Sequence, residues 1–233
     1  MTDSSRVMRR MNPYFRSKRR KKLIGDLFSY LMLIMLAFVF IFPFLWMIST
    51  AFKLPSEAYT LPQRLIPKTF TFDNFIEGWK YADFTRYTIN TLVVALTATL
   101  GAVFSAALVA YGFARFRSRY NGFFFSIVLA TLMLPSQVTL IPTYLLFTKF
   151  GWLDTLKPLI VPSFFGGGAF NIFLLRQFLK TIPKDLDEAA YIDGANSFQI
   201  FSRILLPAIR PAMIAVALMS ITYHWNDYFW PLI

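Results

Sequence analysis

An all-α, polytopic bundle of membrane-spanning helices is the fold class this sequence predicts, on three observations. Of the 233 residues, 56% are hydrophobic and only 15% charged, whereas soluble domains are nearer half apolar and a quarter charged. Five stretches are uncharged or nearly so over lengths approaching the ~20 apolar residues that carry a helix across a bilayer. The connections between them alternate between rich and poor in Lys and Arg, as a chain threading a membrane requires. The 27 Phe, 11 Tyr and 5 Trp suit lipid-facing surfaces and the aromatic belts at headgroup level. With no cysteine, a disulfide framework and a thiolate metal site are excluded, and the redox compartment stays open.

Residues 1–26 read as a basic tail. A net charge of +12 raises the question of a nucleic-acid partner, and its distribution answers it. Arg6, Arg9, Arg10, Arg16, Lys18, Arg19, Arg20, Lys21 and Lys22 all precede an apolar run, the pattern of a cytoplasmic flank held on the inner side of a first span. Membrane lipids are therefore the expected partner of this charge, and no nucleic acid is expected. The first stretch, residues 27–52, is too long for the apolar region of a signal peptide and is not followed by a cleavage site, so it is retained as the first helix of a membrane domain over 27–233.

The second and third stretches, residues 87–114 and 120–148, are separated only by a short loop containing Arg115, Arg117 and Arg119. The fourth, residues 158–175, is shorter and contains Gly166-Gly167-Gly168. These glycines read as sites of close helix packing or, alternatively, as substrate-facing. The fifth begins near Ala208 and stays uncharged from 211 to 226. The tail, the Arg115 loop and the segment 176–210 are rich in Lys and Arg, so they are expected inside. Five spans would leave the last residues outside. The apolar close Trp230-Pro231-Leu232-Ile233 reads as an interrupted segment, so a sixth helix is expected but absent.

One region breaks the apolar pattern. Residues 182–207 are polar enough to lie outside the bilayer yet keep a helical period. Pro183 suits a first helical turn, and Asp185, Asp187 and Glu188 suit its positive end. Leu186, Ala189, Ala190 and Asp193 are spaced to share one face. Gly194 can end this helix in a left-handed conformation. Asn196 or Ser197 can cap a second helix presenting Phe198, Phe201, Ile204 and Leu205, and Pro207 marks the turn into the fifth span. On pattern alone the segment is either a functional helix–turn–helix elbow or an ordinary amphipathic connector lying on the membrane.

The set Glu188-Ala189-Ala190, Gly194, Ile204 and Leu206-Pro207 resembles, in identity and spacing, the signature loop of permease subunits in binding-protein-dependent ABC importers. Asn90-Thr91-Leu92, 110–115 (Ala-Tyr-Gly-Phe-Ala-Arg), Met133-Leu134-Pro135 and 225–232 (Trp-Asn-Asp-Tyr-Phe-Trp-Pro-Leu) are similar to the carbohydrate branch, close to the second permease subunit of maltose-type systems. The resemblance implies an all-α bundle of the ABC importer permease type in a bacterial or archaeal cell (inner) membrane, with the amino terminus cytoplasmic. It implies that 182–207 is a coupling loop docking into an ATPase. Glu188 would pair with a cation there, Ala189 and Ala190 would permit close approach and Gly194 would supply the bend, with Asp193, Ile204, Leu206 and Pro207 completing the coupling set. The implied partners are an ATPase dimer, a second homologous permease subunit and an extracellular or periplasmic solute-binding protein. The chain itself would carry no cofactor, with ATP and Mg on the ATPase.

Pro135 and Pro142 flank a polar run, Ser136-Gln137-Val138-Thr139, within the third stretch. Proline frees backbone carbonyls, which is tolerated at membrane depth only against protein or water. This is either a kink facing a translocation path or a packing kink. Asn226 and Asp227, near the outer end of the fifth span, are candidates for the same path or for interfacial anchoring beside Trp225, Tyr228 and Trp230. His224 lacks the company a metal site needs. The resemblance implies import of a saccharide or polyol, with glycerol phosphate as a near neighbour. An ion-gradient-driven secondary transporter would need an intramembrane carboxylate or histidine relay, which spans one to four lack. A non-transporting membrane fragment is the remaining alternative.

Overall fold

The computed structural model describes residues 13–233, with side chains from Lys22 onward. Residues 1–12 of the basic tail lie outside the described residues. The chain divides into two compact units, at the boundary between residues 84 and 85.

In the first unit, helix α1 (Pro13–Ala51) runs for 39 residues, so the described part of the basic flank continues directly into the apolar helix. Its segment Lys22–Ala51 has the length and composition of a span, and none of its most apolar window is buried within the chain. The segment after α1 folds back on the helix end. Asn74 Nδ2 donates to the carbonyls of Ala51 (3.0 Å) and Lys53 (2.6 Å), which the helix leaves unsatisfied. Lys53 is buried, donates to the Arg64 carbonyl at 2.6 Å and lies over the Trp46 ring. Phe52 packs between Phe70, Phe72 and Phe75. Two short helices, α2 (Pro55–Ala58) and α3 (Asp73–Tyr81), complete this unit.

The second unit is organised around α4 (Phe84–Arg115). Its buried stripe is made of small residues, Ala95, Ala98, Ala102, Ala106, Ala107 and Ala110, which let neighbouring backbones approach closely. The third apolar stretch is not a straight span. Helix α5 (Asn121–Ala130) and a 3₁₀ turn (Thr131–Met133) end at Leu134-Pro135, and α6 (Ser136–Lys149) leaves at 101°. The cause is local, because a residue before proline is pushed out of the helical region and Leu134 adopts φ −81°, ψ 117°. Pro142, by contrast, sits inside α6 without ending it.

The fourth stretch starts with α7 (Lys157–Ile160) and a 3₁₀ turn (Val161–Phe164) and continues as α8 (Ala169–Thr181). Gly166, Gly167 and Gly168 all have positive φ. A Cβ on Gly167 would fall 2.3 Å from the Ala102 carbonyl oxygen, so this glycine is where α4 and the fourth stretch touch backbone to backbone. The polar segment forms α9 (Asp185–Ile192), α10 (Ser197–Ile200), a π turn (Phe201–Leu205) and α11 (Leu206–Ala208), and α12 (Arg210–Trp225) follows it. Among the described residues, three helical segments have the length and apolarity of spans, and up to five do if each bent pair counts as one. The core of the second unit is Ile172, Leu175, Leu179, Ile200, Leu205, Ile209 and Val216 against α4.

Candidate functional site

The elbow over residues 182–207 is built from a start, a stop and a second start, each with its own hydrogen bonds. Pro183 lies before the first helix rather than within it. The Lys184 carbonyl opens α9 by accepting from the amides of Asp187 (2.9 Å) and Glu188 (3.1 Å). At the other end Gly194 takes φ 84°. The amides of Ala195 and Gly194 return to the carbonyls of Ala190 (2.9 Å) and Tyr191 (3.0 Å), the Schellman pairing that ends a helix. Asn196 then caps α10 through a full capping box. Its Oδ1 accepts from the Gln199 amide, and Gln199 Oε1 accepts from the Asn196 amide, both at 2.9 Å. Pro207 has no N–H for the Arg203 carbonyl, and the wider π turn just before it absorbs that irregularity. The chain then bends by 75° into α12.

Burial divides the elbow into two faces, and not along the line periodicity suggests. Ala190 turns inward with Asp187, both buried, whereas Leu186, Glu188, Ala189 and Asp193 face outward. In the second helix Ile200, Phe201 and Leu205 are buried and Phe198 is exposed. The outward surface therefore combines Glu188, Ala189 and Gly194 with the exposed side chains of Tyr191, Ile192 and Phe198. Ile204 and Leu206 pack against the core, so they anchor the elbow instead of extending its outer surface.

What holds the inner face is a set of contacts from the end of α4. Arg115 donates from Nη1 and Nη2 to the Ile182 carbonyl, each at 3.1 Å, and its Nε lies 2.9 Å from Asp187 Oδ2. The side chains of this ion pair are only 6% and 12% exposed. The Nε contact is electrostatic rather than an aligned hydrogen bond, and Asp187 Oδ1 has no protein partner. Burial raises the Asp187 pKa above the usual carboxylate range. Arg115 and then Lys184 pull it back down, and Glu188 adds a smaller upward push. One turn earlier, the Tyr111 hydroxyl donates to the Ser197 carbonyl (3.0 Å) and its ring packs on Phe201 at 4.9 Å. Tyr191 and Ser197 hydroxyls meet at 2.9 Å. In the sequence Arg115 stands out as part of a basic loop and of the 110–115 motif, and nothing there pairs it with Asp187. The signal available was an arginine ending an apolar helix, and its partner is 72 positions away.

A second site opens beside the α5–α6 bend. Ser136 and Gln137 at the start of α6, and Thr222, Asn226 and Asp227 at the end of α12, line a cavity of about 1050 Å³ with Tyr223, Tyr228, Phe229 and Trp230. Four of the five sequence-predicted path residues thus come together. Pro135 creates the bend that presents Ser136 and does not line the cavity. Asn226 and Asp227 also have structural work: Asn226 Nδ2 donates to the Thr222 carbonyl (2.7 Å), and Asp227 Oδ1 accepts from the Trp230 amide (3.2 Å). Thr139, Asn171, Ser220 and His224 line an adjoining cavity of about 610 Å³ that shares Asp227 and Trp230.

Comparison with known proteins agrees with this architecture. Residues 98–233 match the family described as the binding-protein-dependent transport system inner membrane component. The probable ABC transporter permease protein YurM of Bacillus subtilis is 33% identical over 92% of this chain and 71% of its own length. The lactose transport system permease protein LacG of Rhizobium radiobacter is 32% identical over 91% and 77%. The sn-glycerol-3-phosphate permease protein UgpE of Escherichia coli O1:K1 is 34% identical over 89% and 75%. The fold is similar, with a TM-score of 0.68 and 24% identity over 91% of this chain and 74% of the other, to a chain of a bacterial ABC transporter involved in the import of the acidic polysaccharide alginate.

Proposed function

Because the chain belongs to the family of binding-protein-dependent transport system inner membrane components, we propose that the elbow over 182–207 is its coupling element and the cavity at Ser136 and Asn226 part of its solute path. The chain is a multi-pass permease subunit of an ABC importer. In this reading it works with an ATPase dimer that carries ATP and Mg, with a second permease subunit and with a solute-binding protein outside, and it makes and breaks no bonds itself. The amino terminus and the elbow face the cytoplasm, in keeping with the excess of Lys and Arg in those segments. The solute is a sugar or a related polyol. Relatives named for lactose and glycerol phosphate support this class, and so does a cavity in which aromatic rings stand beside amide, hydroxyl and carboxylate groups. An ion-driven mechanism has no support among the relatives, one of which is named a probable ABC transporter permease protein.

The observation that carries the coupling role is the two-faced elbow. Its inner face is pinned to α4 through Arg115 and Tyr111, and its outer face offers Glu188, a small Ala189 and exposed apolar side chains. A motor docking on the outer face would move α4 and α12 together. Glu188→Lys places a like charge against the cation proposed on the ATPase, so recovery of the ATPase with the membrane-inserted chain falls by about tenfold or more. Undiminished co-purification and transport by this variant would remove the coupling role.

A further inference from the structure

Between the end of α4 and the start of α9 lies a cavity of about 420 Å³, separate from the solute cavity and facing neither the elbow's outer surface nor the α5–α6 bend. Arg115, Arg117, Arg119, Arg176, Lys180 and Lys184 converge on it from four separate segments, and no acidic residue lines it. Arg115 and Lys180 are each in the last turn of a helix, where a cation complements the axial dipole. That accounts for two of the six. Arg176 lies over the Phe125 ring at 3.8 Å and reaches the Phe113 carbonyl at 3.4 Å. Arg117, Arg119, Lys180 and Lys184 form no ion pair among the described residues. A loose basic flank would spread its charges into water. Here they are gathered into one concavity, where a bound anion would relieve their mutual repulsion.

We infer that this cavity binds the phosphodiester headgroup of an anionic phospholipid. A lipid, rather than a free anion, is favoured by the surroundings. Phe116, Tyr120, Phe123 and Phe124 are exposed beside the basic cluster, at the start of the apolar α5. This is the aromatic belt of a headgroup layer, with a hydrocarbon-facing helix leading away from it. Basic pockets between membrane helices on the cytoplasmic side bind such headgroups. The inference rests on the proposed membrane orientation only for the leaflet, and it needs no ATPase.

The test is lipid retention by the full chain purified in a neutral detergent with equal amounts of phosphatidylglycerol and phosphatidylcholine, read by mass spectrometry of the extracted lipid. The wild type retains phosphatidylglycerol in preference, and the Arg117→Gln/Arg119→Gln/Lys180→Gln variant loses about tenfold or more of that preference. Arg203→Gln/Arg210→Gln, which removes exposed charges outside the cavity, keeps it. Equal loss in both variants, or none in either, overturns the site. Displacement of the lipid by millimolar inorganic phosphate overturns the lipid in favour of a free anion. The leaflet is read separately. The chain lacks cysteine, so Ser118→Cys reports the side of the membrane by maleimide labelling, and labelling from outside would sink the orientation while leaving the retention result intact.

Discussion

Asp187 and Glu188 are neighbours with opposite environments, and the contrast shows how single residues divide the work of the elbow. Asp187 is buried against Arg115 and Glu188 is exposed. Arg115→Ala removes two hydrogen bonds to the Ile182 carbonyl and leaves the Asp187 carboxylate buried and unpaired. Breaking such a pair costs about 3 kcal/mol or more, which a lowered thermal midpoint of the chain in detergent would register. Asp187→Asn is milder, since it removes the charge whose burial is unfavourable. The sign of its pH dependence follows from the raised pKa. The native state holds the Asp187 proton more tightly than the unfolded chain, so this group's stabilising contribution is present below the ordinary carboxylate range and is lost as pH rises through the raised value. Wild type therefore gains stability relative to Asp187→Asn on acidification from pH 7 towards the carboxylate range, measured as the difference between their unfolding midpoints. A difference that moves the opposite way with pH would mean that attraction to Arg115 outweighs burial.

At the scale of elements, glycine and proline positions set the geometry. A Cβ at Gly167 would meet the Ala102 backbone, which cannot give way as a flexible side chain can. Gly167→Ala is expected to destabilise the packing of α8 on α4 by about 1–3 kcal/mol, again read as a lowered midpoint. Gly194→Ala meets open space, so its effect is the positive φ alone, about 1–2 kcal/mol, and falls on the elbow rather than the bundle. Much of the elbow was legible in the sequence because its signals are local: the acidic first turn, Gly194 and the Asn196 cap all act within four residues. The five apolar stretches were legible for the same reason. The 101° bend was only half legible, since a proline marks a site of possible breakage and Pro135 and Pro142 look alike until their neighbours are known. The inward turn of Ala190 and the Arg115–Asp187 pair were not legible. Both depend on which face of α9 meets α4, and that is fixed by contacts distant in sequence.

Within the second unit, the elbow proposed as the coupling element and the cavity proposed as part of the solute path are joined by α12. The elbow leads through Pro207 and Ile209 into it, and its far end carries Thr222, Asn226 and the cavity. Under the proposed coupling role, displacement of the elbow would have a direct mechanical route to the proposed solute path, as alternating access driven from one side of a membrane requires. Widening or closing of the cavity should follow nucleotide state on the ATPase and not an ion gradient. Ile192 is the most exposed apolar side chain of the elbow, at 87%, and the chain has no cysteine of its own. In an assembled transporter carrying Ile192→Cys, a short bifunctional thiol reagent should link this position to a cysteine in the ATPase, and a membrane-impermeant maleimide should reach it in inside-out vesicles alone. Modification from the outside of intact cells, or the absence of any link to the ATPase in a complex that still transports, would contradict the coupling role of the elbow.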